Sequence, residues 1–420
     1  MSAQKAGAGG IPMAERVVVT GLGVMASLGS DPDTLWENIK NGKNGIGLIT
    51  SFDTEGFDAK LAAEVKDADF SSLPKRDLLF DSRFINMARV SASQAYKDSG
   101  LNPDTVCSDR FGVYISNSMG GVEKIEDGLR VMKEKGPSRM SPMMIPSILP
   151  NMASGRVAID LSAKGSNMAS VSACSGGAMS IGEAYIKIRY GYEDIMAAGA
   201  SDASIIPFPV AGFSAMKALH KGDDPDNASI PFDKRRSGFV IGEGAAVLIL
   251  ESLSHAKSRG ARIYAEIAGY GCNCDAYNPV APDYENLTCI GAMQKALDDA
   301  GISADRIAYI NAHGTSTVIN DRTESRAVNE LFGKRPYVSS TKSMTGHLLS
   351  ASGALEALIT VKALETGMMP PMTGYKEFDP ECDLNFVLGK AQSNPDMEYA
   401  ASNSFGFGGH NACLIFRKWT

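Results

Sequence analysis

Short apolar runs alternate with longer amphipathic stretches along the whole chain. Runs rich in β-branched residues predict strands in the first half, at 16–24, 110–116, 167–173, 193–199 and 244–252. Several of them are apolar at nearly every position, which is typical of strands covered by helices on both faces. Between the strands, helical spacing predicts a helix over 81–100 and another that follows Cys174 and ends at Gly191. The pattern indicates an α/β chain.

A second series of strands and helices begins near residue 262 and follows the same order. It predicts strands at 262–271, 306–314, 335–343, 384–388, 399–403 and 412–417, and helices at 287–300, 321–332 and 348–366. In both series a strand ends in small polar residues and a long helix follows. We interpret this as an internal duplication with two halves, residues 15–255 and 256–420. Two unrelated α/β domains would be the alternative.

Composition narrows the class of protein. The 420 residues are 44% hydrophobic and carry a formal net charge of −7, which allows a large buried core and disfavours general nucleic-acid binding. No apolar run reaches the roughly 18–20 residues of a membrane span. Residues 1–14 lack the apolar core of a secretory signal, so we expect a flexible leader there.

Cysteine usage indicates a reducing environment. The 7 cysteines are scattered, and no Cys or His group has the spacing of a zinc site. Dispersed thiols in odd number are typical of a cytosol-like compartment. We therefore expect a cytoplasmic protein that binds no metal, with most of its thiols in the core.

Cys174 stands apart from the other cysteines because of its neighbours. It lies in VSACSGG, residues 171–177, and apolar residues recur at helical spacing directly afterwards. The dipole and free N–H groups of a helix N-terminus favour an anion, so we expect this position to increase the thiolate fraction. The small neighbours leave room for a substrate carbonyl. Cys174 is a candidate nucleophile, and a small core residue is the alternative.

Two histidines lie in turn-forming, polar surroundings. His313 is part of NAHGTST and His347 is part of SMTGHLLSASG, each after a predicted strand or in a loop. Functional side chains commonly project from such loops on a rigid scaffold. Both are candidate site residues, with a structural role as the alternative.

The stretch SNSFGFGGHNACLIF, residues 402–416, interleaves glycine with phenylalanine before a terminal strand. Glycine permits positive φ and close backbone approach, and exposed N–H groups there could stabilise an oxyanion. A tight loop without a chemical role is the alternative. The spacing does not match the GxGxxG motif of dinucleotide-binding proteins.

Together these stretches resemble the β-ketoacyl-[acyl-carrier-protein] synthases, in particular the elongating type I/II group. The resemblance rests on SACSGG, PFDKRRSGFVIGEGAAVLILE, INAHGTST, SSTKSMTGHLLSASG and NSFGFGGHN, which occur in this order. It extends from RVVVTGLGV to the C-terminus. It implies the thiolase-like fold, with two duplicated halves forming a five-layered αβαβα sandwich, and a homodimer.

The resemblance implies a decarboxylative Claisen condensation of an acyl-enzyme with malonyl-acyl-carrier-protein during fatty-acid chain elongation. Cys174 would be the nucleophile. His313 and His347 would bind the malonyl thioester carbonyl and stabilise the enolate formed by decarboxylation. The backbone N–H groups of Cys174 and Phe407 would form the oxyanion hole.

The resemblance also implies supporting residues for the same reaction. Lys342 would order the site, and Glu324 would support that lysine and the histidine loop. Thr315 and Thr317 would bind the phosphopantetheine arm. No metal, flavin or nicotinamide is required, since thiolate, imidazole and backbone dipoles supply the chemistry.

The partner implied by the resemblance is an acidic acyl carrier protein. Because the chain itself is net negative, docking would need a local basic patch. Candidate docking residues are Lys217, Lys221, Lys75 and Arg76. Ordinary solvated surface lysines and arginines are the alternative for all of them.

The chain departs from the pattern of its relatives at positions that bear on substrate choice. Met144, with Met143 before it, replaces a phenylalanine pair in a segment that lines the acyl pocket of relatives. Met119 falls where acyl length is limited in relatives. Val280-Ala281 replaces Met-Thr near the malonyl entrance. A ketosynthase of a polyketide or specialised-lipid pathway is therefore the second interpretation.

Three other relatives are disfavoured by the residues present. Thiolases use a second cysteine as acid and base. Cys413 lies just beyond the FGFGGHN loop, but on a predicted core strand. Initiating synthases combine cysteine, histidine and asparagine, whereas this chain has histidine in both motifs. Non-catalytic chain-length partner subunits generally lack the nucleophile, which is present here as Cys174.

Overall fold

The computed structural model describes residues 14–420. The predicted leader, residues 1–14, lies outside the described residues except for its last position. The helices are α1 (Pro32–Lys40), α2 (Lys75–Phe80), α3 (Arg83–Asp98), α4 (Val122–Lys135), α5 (Met144–Ile148), α6 (Met152–Asp160), α7 (Gly176–Arg189), α8 (Pro207–Ala215), α9 (Leu253–Ser258), α10 (Cys289–Ala300), α11 (Val318–Phe332), α12 (Lys342–Thr345) and α13 (Ala351–Thr366).

Most of the strands belong to one large sheet. The strands are β1 (Val17–Ala26), β2 (Gly47–Leu48), β3 (Leu61–Ala63), β4 (Phe111–Ser116), β5 (Asn167–Met168), β6 (Ile195–Asp202), β7 (Ile241–Gly242), β8 (Gly244–Ser252), β9 (Ala265–Cys274), β10 (Ile307–Asn311), β11 (Tyr337–Ser339), β12 (Met368–Met369), β13 (Gln392–Ser393), β14 (Tyr399–Gly406) and β15 (His410–Lys418). The large sheet has 10 strands in the order β11-β10-β14-β15-β9-β1-β8-β6-β4-β5.

The two halves of this sheet have the same topology. If the strands that each half contributes to this sheet are numbered from first to fifth along the chain, both halves have the order third, second, fourth, fifth, first from the outer edge inward. The two first strands, β1 and β9, lie next to each other and join the halves. The second strand is parallel to the third and fourth, and the fifth is antiparallel to both of its neighbours. The duplication inferred from the order of elements is therefore repeated in the pairing of the strands.

Helices cover both faces of each half-sheet. The central hydrophobic core places α7 and α13 between the two half-sheets. A second core packs α3 and α6 on the outer face of the first half, and a third packs α10 and α11 on the outer face of the second. This gives the five-layered αβαβα sandwich and confirms the predicted fold class. The boundary at residue 255 falls within α9 and stays a prediction.

Two predicted strands are wrong. The run 167–173 forms a strand only at Asn167–Met168, which is an edge strand with a single partner, β4. Ala173 then turns the chain with a φ of 48°. The run 384–388 makes only single bridges, through Phe386 and Leu388. Small polar residues and edge positions offer too few partners for longer ladders.

None of the helices described between residues 14 and 420 is long and apolar enough to cross a membrane.

Candidate active site

A cavity of about 310 Å³ lies where the two halves meet. The first half contributes Cys174 to its wall, and the second half contributes the two histidines. The other predicted residues that line it are Thr315, Thr317, Phe407 and Lys217. Residues far apart in the sequence therefore share one cavity.

The crossing of α7 and α13 explains why Cys174 and His347 meet. The Gly177 N–H donates a hydrogen bond of 3.1 Å to the Ser350 carbonyl oxygen, which joins the N-terminal ends of the two helices. A Cβ atom at Gly177 would lie 2.6 Å from that oxygen, and one at Gly353 would lie 2.7 Å from a backbone nitrogen of α7. Only glycine allows this approach. The residues that precede each helix are thereby held side by side.

Burial of Cys174 opposes the thiolate enrichment expected from the helix N-terminus. Cys174 lies in a single 3₁₀ turn, Ala173–Ser175, before α7 begins. Burial raises the pKa of the Cys174 thiol to about 12; Lys342 opposes this shift, and the carboxylates of Asp202 and Glu356 add to it. The low polarity of the surroundings outweighs the helix N-terminus. A reaction at this sulfur needs a proton acceptor.

His313 is held by its backbone and by an ammonium group. Its N–H donates to Glu324 Oε1 at 2.9 Å, and its carbonyl oxygen accepts from Lys342 Nζ at 2.6 Å. The same Nζ lies 3.5 Å from the imidazole Nδ1. An ammonium group can only donate, so Nδ1 is the acceptor and the ring proton is on Nε2.

His347 has a serine hydroxyl at the same ring position, Nδ1. Ser352 Oγ lies 2.9 Å from His347 Nδ1 and also accepts the Leu348 N–H at 2.8 Å. The hydroxyl has a proton to donate to Nδ1, and that direction of the bond places the ring proton of His347 on Nε2.

The two imidazoles are neutral neighbours. Their ring centroids are 5.4 Å apart, with an interplanar angle of 85°. Burial holds the pKa of both rings well below the ordinary value, and the nearby Lys342 ammonium lowers it further. Two neutral Nε2–H groups can thus donate hydrogen bonds without the cost of burying two positive charges.

The carboxylate partner of Lys342 is Glu356, not Glu324. Glu356 on α13 makes a buried ion pair with the ammonium. Burial raises the pKa of Glu356 to about 7, against the effect of Lys342. Glu324 instead accepts the N–H groups of His313 and Gly314 and thus holds the histidine loop. Of the two supporting roles predicted for Glu324, its contacts fit the second.

Glu356 and Ser352 were missed by sequence reasoning. Both lie on α13, whose neighbouring residues are small or apolar and buried. An acidic residue flanked on both sides by small and apolar residues of such a helix signals a buried partner, so this feature could have revealed Glu356. No comparable signal marks Ser352, because serine is common at helix starts.

Gly406 brings the end of β14 against the cysteine turn. A Cβ atom there would lie 2.7 Å from the Ser172 carbonyl oxygen and 3.1 Å from the Cys174 nitrogen. Within residues 14–420, neither the Cys174 N–H nor the Phe407 N–H donates a hydrogen bond to the protein. Both residues line the cavity, so these two N–H groups remain candidates for the predicted oxyanion hole.

Two of the four predicted substrate-binding residues line the cavity, and two do not. Thr315 and Thr317 line the cavity, with their Oγ1 atoms 2.9 Å apart. Met119 packs instead on the apolar cluster around Ile205, and Met144 lies on α5 against α4. Both methionines lie outside this cavity, and their place in an acyl pocket stays a prediction.

The four predicted docking residues differ in their distance from the cavity. Lys217 is exposed at the mouth of the cavity. Lys221 forms an ion pair with Asp58 at 2.5 Å. Lys75 and Arg76 are exposed on α2 and do not line the cavity. Only Lys217 is in place beside the entrance.

The chain matches two family models along most of its length. Residues 14–256 match the β-ketoacyl synthase N-terminal domain, and residues 264–376 match the β-ketoacyl synthase C-terminal domain. The chain belongs to the β-ketoacyl synthase family. This β-ketoacyl synthase is accordingly an acyltransferase of the condensing-enzyme class, which confirms the class predicted from its motifs.

Similar curated proteins share the name 3-oxoacyl-[acyl-carrier-protein] synthase 2. The one from Staphylococcus aureus (strain COL) is 46% identical over 409 residues, covering 96% of this chain and 99% of the relative. The one from Synechocystis sp. is 44% identical over 410 residues, covering 96% and 98%.

Similar solved structures are ketosynthases. The ishigamide ketosynthase/chain length factor has a TM-score of 0.91 and 35% identity, and a β-ketoacyl synthase from Burkholderia phymatum STM815 has a TM-score of 0.89 and 37% identity. A type II polyketide ketosynthase in complex with its acyl-carrier protein has a TM-score of 0.90 and 33% identity. Each comparison covers 97% of this β-ketoacyl synthase and 100% of the other chain.

Proposed function

We propose that this β-ketoacyl synthase condenses a Cys174-bound acyl group with malonyl-acyl-carrier-protein to give β-ketoacyl-acyl-carrier-protein in fatty-acid chain elongation. The observation that carries the proposal is the pair of neutral imidazoles that share one cavity with Cys174 and have their Nδ1 atoms within hydrogen-bonding distance of Lys342 Nζ and Ser352 Oγ. This arrangement supplies two donors and one nucleophile in one cavity. The names of the similar curated proteins support the carrier-protein substrate and the pathway.

The first step transfers the acyl group to Cys174. The sulfur attacks the thioester carbonyl of the acyl-carrier substrate, and the thiol proton leaves as the bond forms, because the raised pKa keeps the free thiol protonated. The carrier-protein thiolate departs and takes up the proton, so the exchange balances.

The second step is decarboxylation of the malonyl thioester. The carboxylate loses carbon dioxide, and the electron pair moves into an enolate whose oxygen is negative. The Nε2–H groups of His313 and His347 donate to that oxygen. Removing one such donor typically lowers a rate by a factor on the order of 10²–10³.

The third step forms the carbon–carbon bond. The enolate carbon attacks the acyl carbonyl on Cys174, and the resulting oxyanion accepts the N–H groups of Cys174 and Phe407. Collapse of this intermediate releases the Cys174 thiolate, which takes up one proton from solvent water; this proton replaces the one that left with the carrier thiol in the first step. No redox change occurs in the sequence, so thiol, imidazole and backbone donors are sufficient.

The partner in this proposal is an acyl carrier protein that docks at the mouth of the cavity. Thr315 and Thr317 would bind its phosphopantetheine arm, and the exposed Lys217 would contact its acidic surface. The rim carries only this one of the predicted basic residues, so we expect the arm to contribute much of the affinity. The proposed location is the cytoplasm.

A homodimer is part of the proposal. Exposed apolar side chains cover adjoining elements at the β5 edge of the sheet, a feature typical of protein interfaces. They are Leu129, Ile145, Leu149, Ile159, Met168 and Val171. A second copy of the chain would bury this face.

A ketosynthase of a polyketide or specialised-lipid pathway is the second candidate function. Val280 and Ala281 line the cavity where relatives have methionine and threonine, which changes the polarity of the entrance. The similarity to a type II polyketide ketosynthase and to the ishigamide ketosynthase/chain length factor favours this candidate, whereas the higher identity to the curated proteins favours fatty-acid elongation. A non-catalytic chain-length partner is disfavoured by Cys174.

The test is mass spectrometry of the intact protein after incubation with acyl-carrier thioesters of graded length. We expect an acyl adduct on Cys174 that malonyl-carrier-protein discharges to a β-ketoacyl product. Cys174→Ala should form no adduct, while Cys107→Ala, which changes an exposed cysteine outside the cavity, should behave as the unmodified protein. The preferred acyl length separates the two pathways. A folded protein without any adduct would reject the proposal.

A further inference from the structure

The segment 230–238, here called the strap, is a sequence motif to which none of the proposed chemical steps assigns a role. It comes from the first half of the chain and lies against residues 312–317 of the second half, here called the histidine loop. The Ile230 N–H donates to Ser316 Oγ at 3.0 Å, and the Gly238 N–H donates to the Ser316 carbonyl oxygen at 3.1 Å. Both ends of the strap therefore bind one residue of the loop.

Strap and loop hold each other in uncommon conformations. Phe232 has a φ of 63° and Ser316 a φ of 68°, which non-glycine residues adopt at a cost in free energy. The Phe232 N–H donates to Asp321 Oδ2 at 2.8 Å, and a Cβ atom at Gly314 would lie 3.0 Å from the Phe232 ring. Such conformations persist only where surrounding contacts enforce them, and they cluster at functional sites.

Arg236 is the buried centre of these contacts. Its Nη1 donates to the Asp233 carbonyl oxygen at 2.9 Å and to Asp379 Oδ2 at 2.6 Å. Its Nε and Nη2 donate to the carbonyl oxygens of Thr317 and Val318, at 3.4 Å and 3.2 Å. A guanidinium presents five donors in one plane, so it can fix several acceptors at once.

We propose that Arg236 is a positioning residue that sets Thr315 and Thr317 for the pantetheine arm of the carrier-bound substrate, an inference that rests on the proposed function. The Thr317 carbonyl is bound by Arg236, and the hydroxyls of Thr315 and Thr317 line the cavity 2.9 Å apart. Without the guanidinium the start of α11 is free to shift. The two hydroxyls would then no longer match the amides of the arm.

The experiment compares two malonyl thioesters with the acyl-enzyme: malonyl-pantetheine, which carries the arm, and the malonyl thioester of ethanethiol, which has no amide. In Arg236→Gln we expect the KM for malonyl-pantetheine to rise about tenfold or more, the effect of losing a buried hydrogen-bonded donor. We expect kcat/KM for the ethanethiol thioester to stay within about twofold, because it has no arm to misplace.

Arg235→Gln is the matched control. Arg235 also binds Asp233, but its other acceptors are Asn227 and the Gly374 carbonyl, away from the histidine loop. We expect Arg235→Gln to leave both KM values unchanged. Arg236→Lys is the conservative variant: it keeps a positive charge beside Asp379, but it lacks the planar fork whose Nε and Nη2 bind the two carbonyls, so the same selective rise in KM is expected.

The outcomes separate this inference from the proposed function. An unmodified protein that condenses neither thioester would reject the proposed function itself. With an active unmodified protein, equal losses on both thioesters, or the same selective loss in Arg235→Gln, would overturn the positioning role. Arg236 variants that do not fold by circular dichroism would make the residue a stabilising one and would overturn it too.

Discussion

Lys342 Nζ binds His313 at two points, 2.6 Å from its carbonyl oxygen and 3.5 Å from its imidazole Nδ1. One ammonium group thereby fixes both the loop and the tautomer of the ring. Glu356 neutralises the charge within the core. The donor that faces the cavity, Nε2–H, is thus determined by a residue behind the ring rather than by one in the cavity.

Replacing Lys342 should therefore impair decarboxylation more than acyl transfer. In Lys342→Ala, Nδ1 has lost its donor, and we expect decarboxylation of malonyl-carrier-protein to fall by about 10²-fold or more. Carbon dioxide release and Cys174 acylation are measured separately. Lys362→Ala removes another buried ion-paired lysine of the second half, away from the cavity, and should keep both rates. Equal loss of both reactions in Lys342→Ala would contradict this role.

Ser352 should determine the tautomer of His347. Removing its hydroxyl in Ser352→Ala leaves Nδ1 free to carry the ring proton, so we expect about a tenfold lower rate of decarboxylation. Nitrogen NMR of the labelled imidazole reports the tautomer directly. Thr360→Ala removes a hydroxyl that donates to the Glu356 carbonyl oxygen on the same helix. This variant should change neither the rate of decarboxylation nor the tautomer of His347. An unchanged tautomer in Ser352→Ala would refute the assignment.

The reactivity of Cys174 should increase with pH beyond the range of an ordinary thiol. A pKa raised to about 12 means that the thiolate fraction still grows where free cysteine is already ionised. We expect alkylation of Cys174 by iodoacetamide to rise about tenfold per pH unit from pH 7 to 10. Peptide mapping follows it, with the exposed Cys107 as internal reference. An alkylation rate that reaches a plateau below pH 9 would show that the pKa of the Cys174 thiol is not raised.

Gly406 should be required for acyl transfer because of its contact with the cysteine turn. The methyl group of Gly406→Ala would meet backbone atoms at 2.7 Å and 3.1 Å, so β14 must move away from Cys174. We expect acylation to fall by about 10²-fold, as for a 1 Å displacement of a catalytic group. Gly212→Ala on α8 adds its methyl to open space and should leave acylation intact. Normal acylation in Gly406→Ala would show that the close contact of Gly406 with the cysteine turn is not required.

The proposed homodimer should depend on the apolar face beside β5. Val171 is 58% exposed there, and a charge at a buried interface is costly. We expect Val171→Asp to sediment as a monomer where the unmodified protein is a dimer. Phe378→Asp changes a similarly exposed apolar residue, at 57%, outside this face and should remain dimeric. An unmodified protein that sediments as a monomer would refute the dimer itself.

The local pattern of apolar and polar residues was sufficient to predict most of the helices and strands. β8 spans the predicted residues 244–252, and α3 lies within the predicted 81–100, because buried strands and amphipathic helices each have a distinct period. It failed at 167–173, where only two residues pair. Edge pairing depends on which strand lies alongside, and no period in the sequence records that.

The sequence by itself determined the class of fold and the repeated order of elements, and it predicted which residues carry the proposed chemistry. Cys174, His313 and His347 were candidates because they lie among small and polar residues in loops and turns, where functional side chains commonly project from a rigid scaffold. The tertiary structure alone decided their chemical states. The thiol pKa and both imidazole tautomers depend on Lys342 and Ser352, on charges from other elements and on exclusion of water. Those contacts join distant parts of the chain, so no local stretch of sequence contains them.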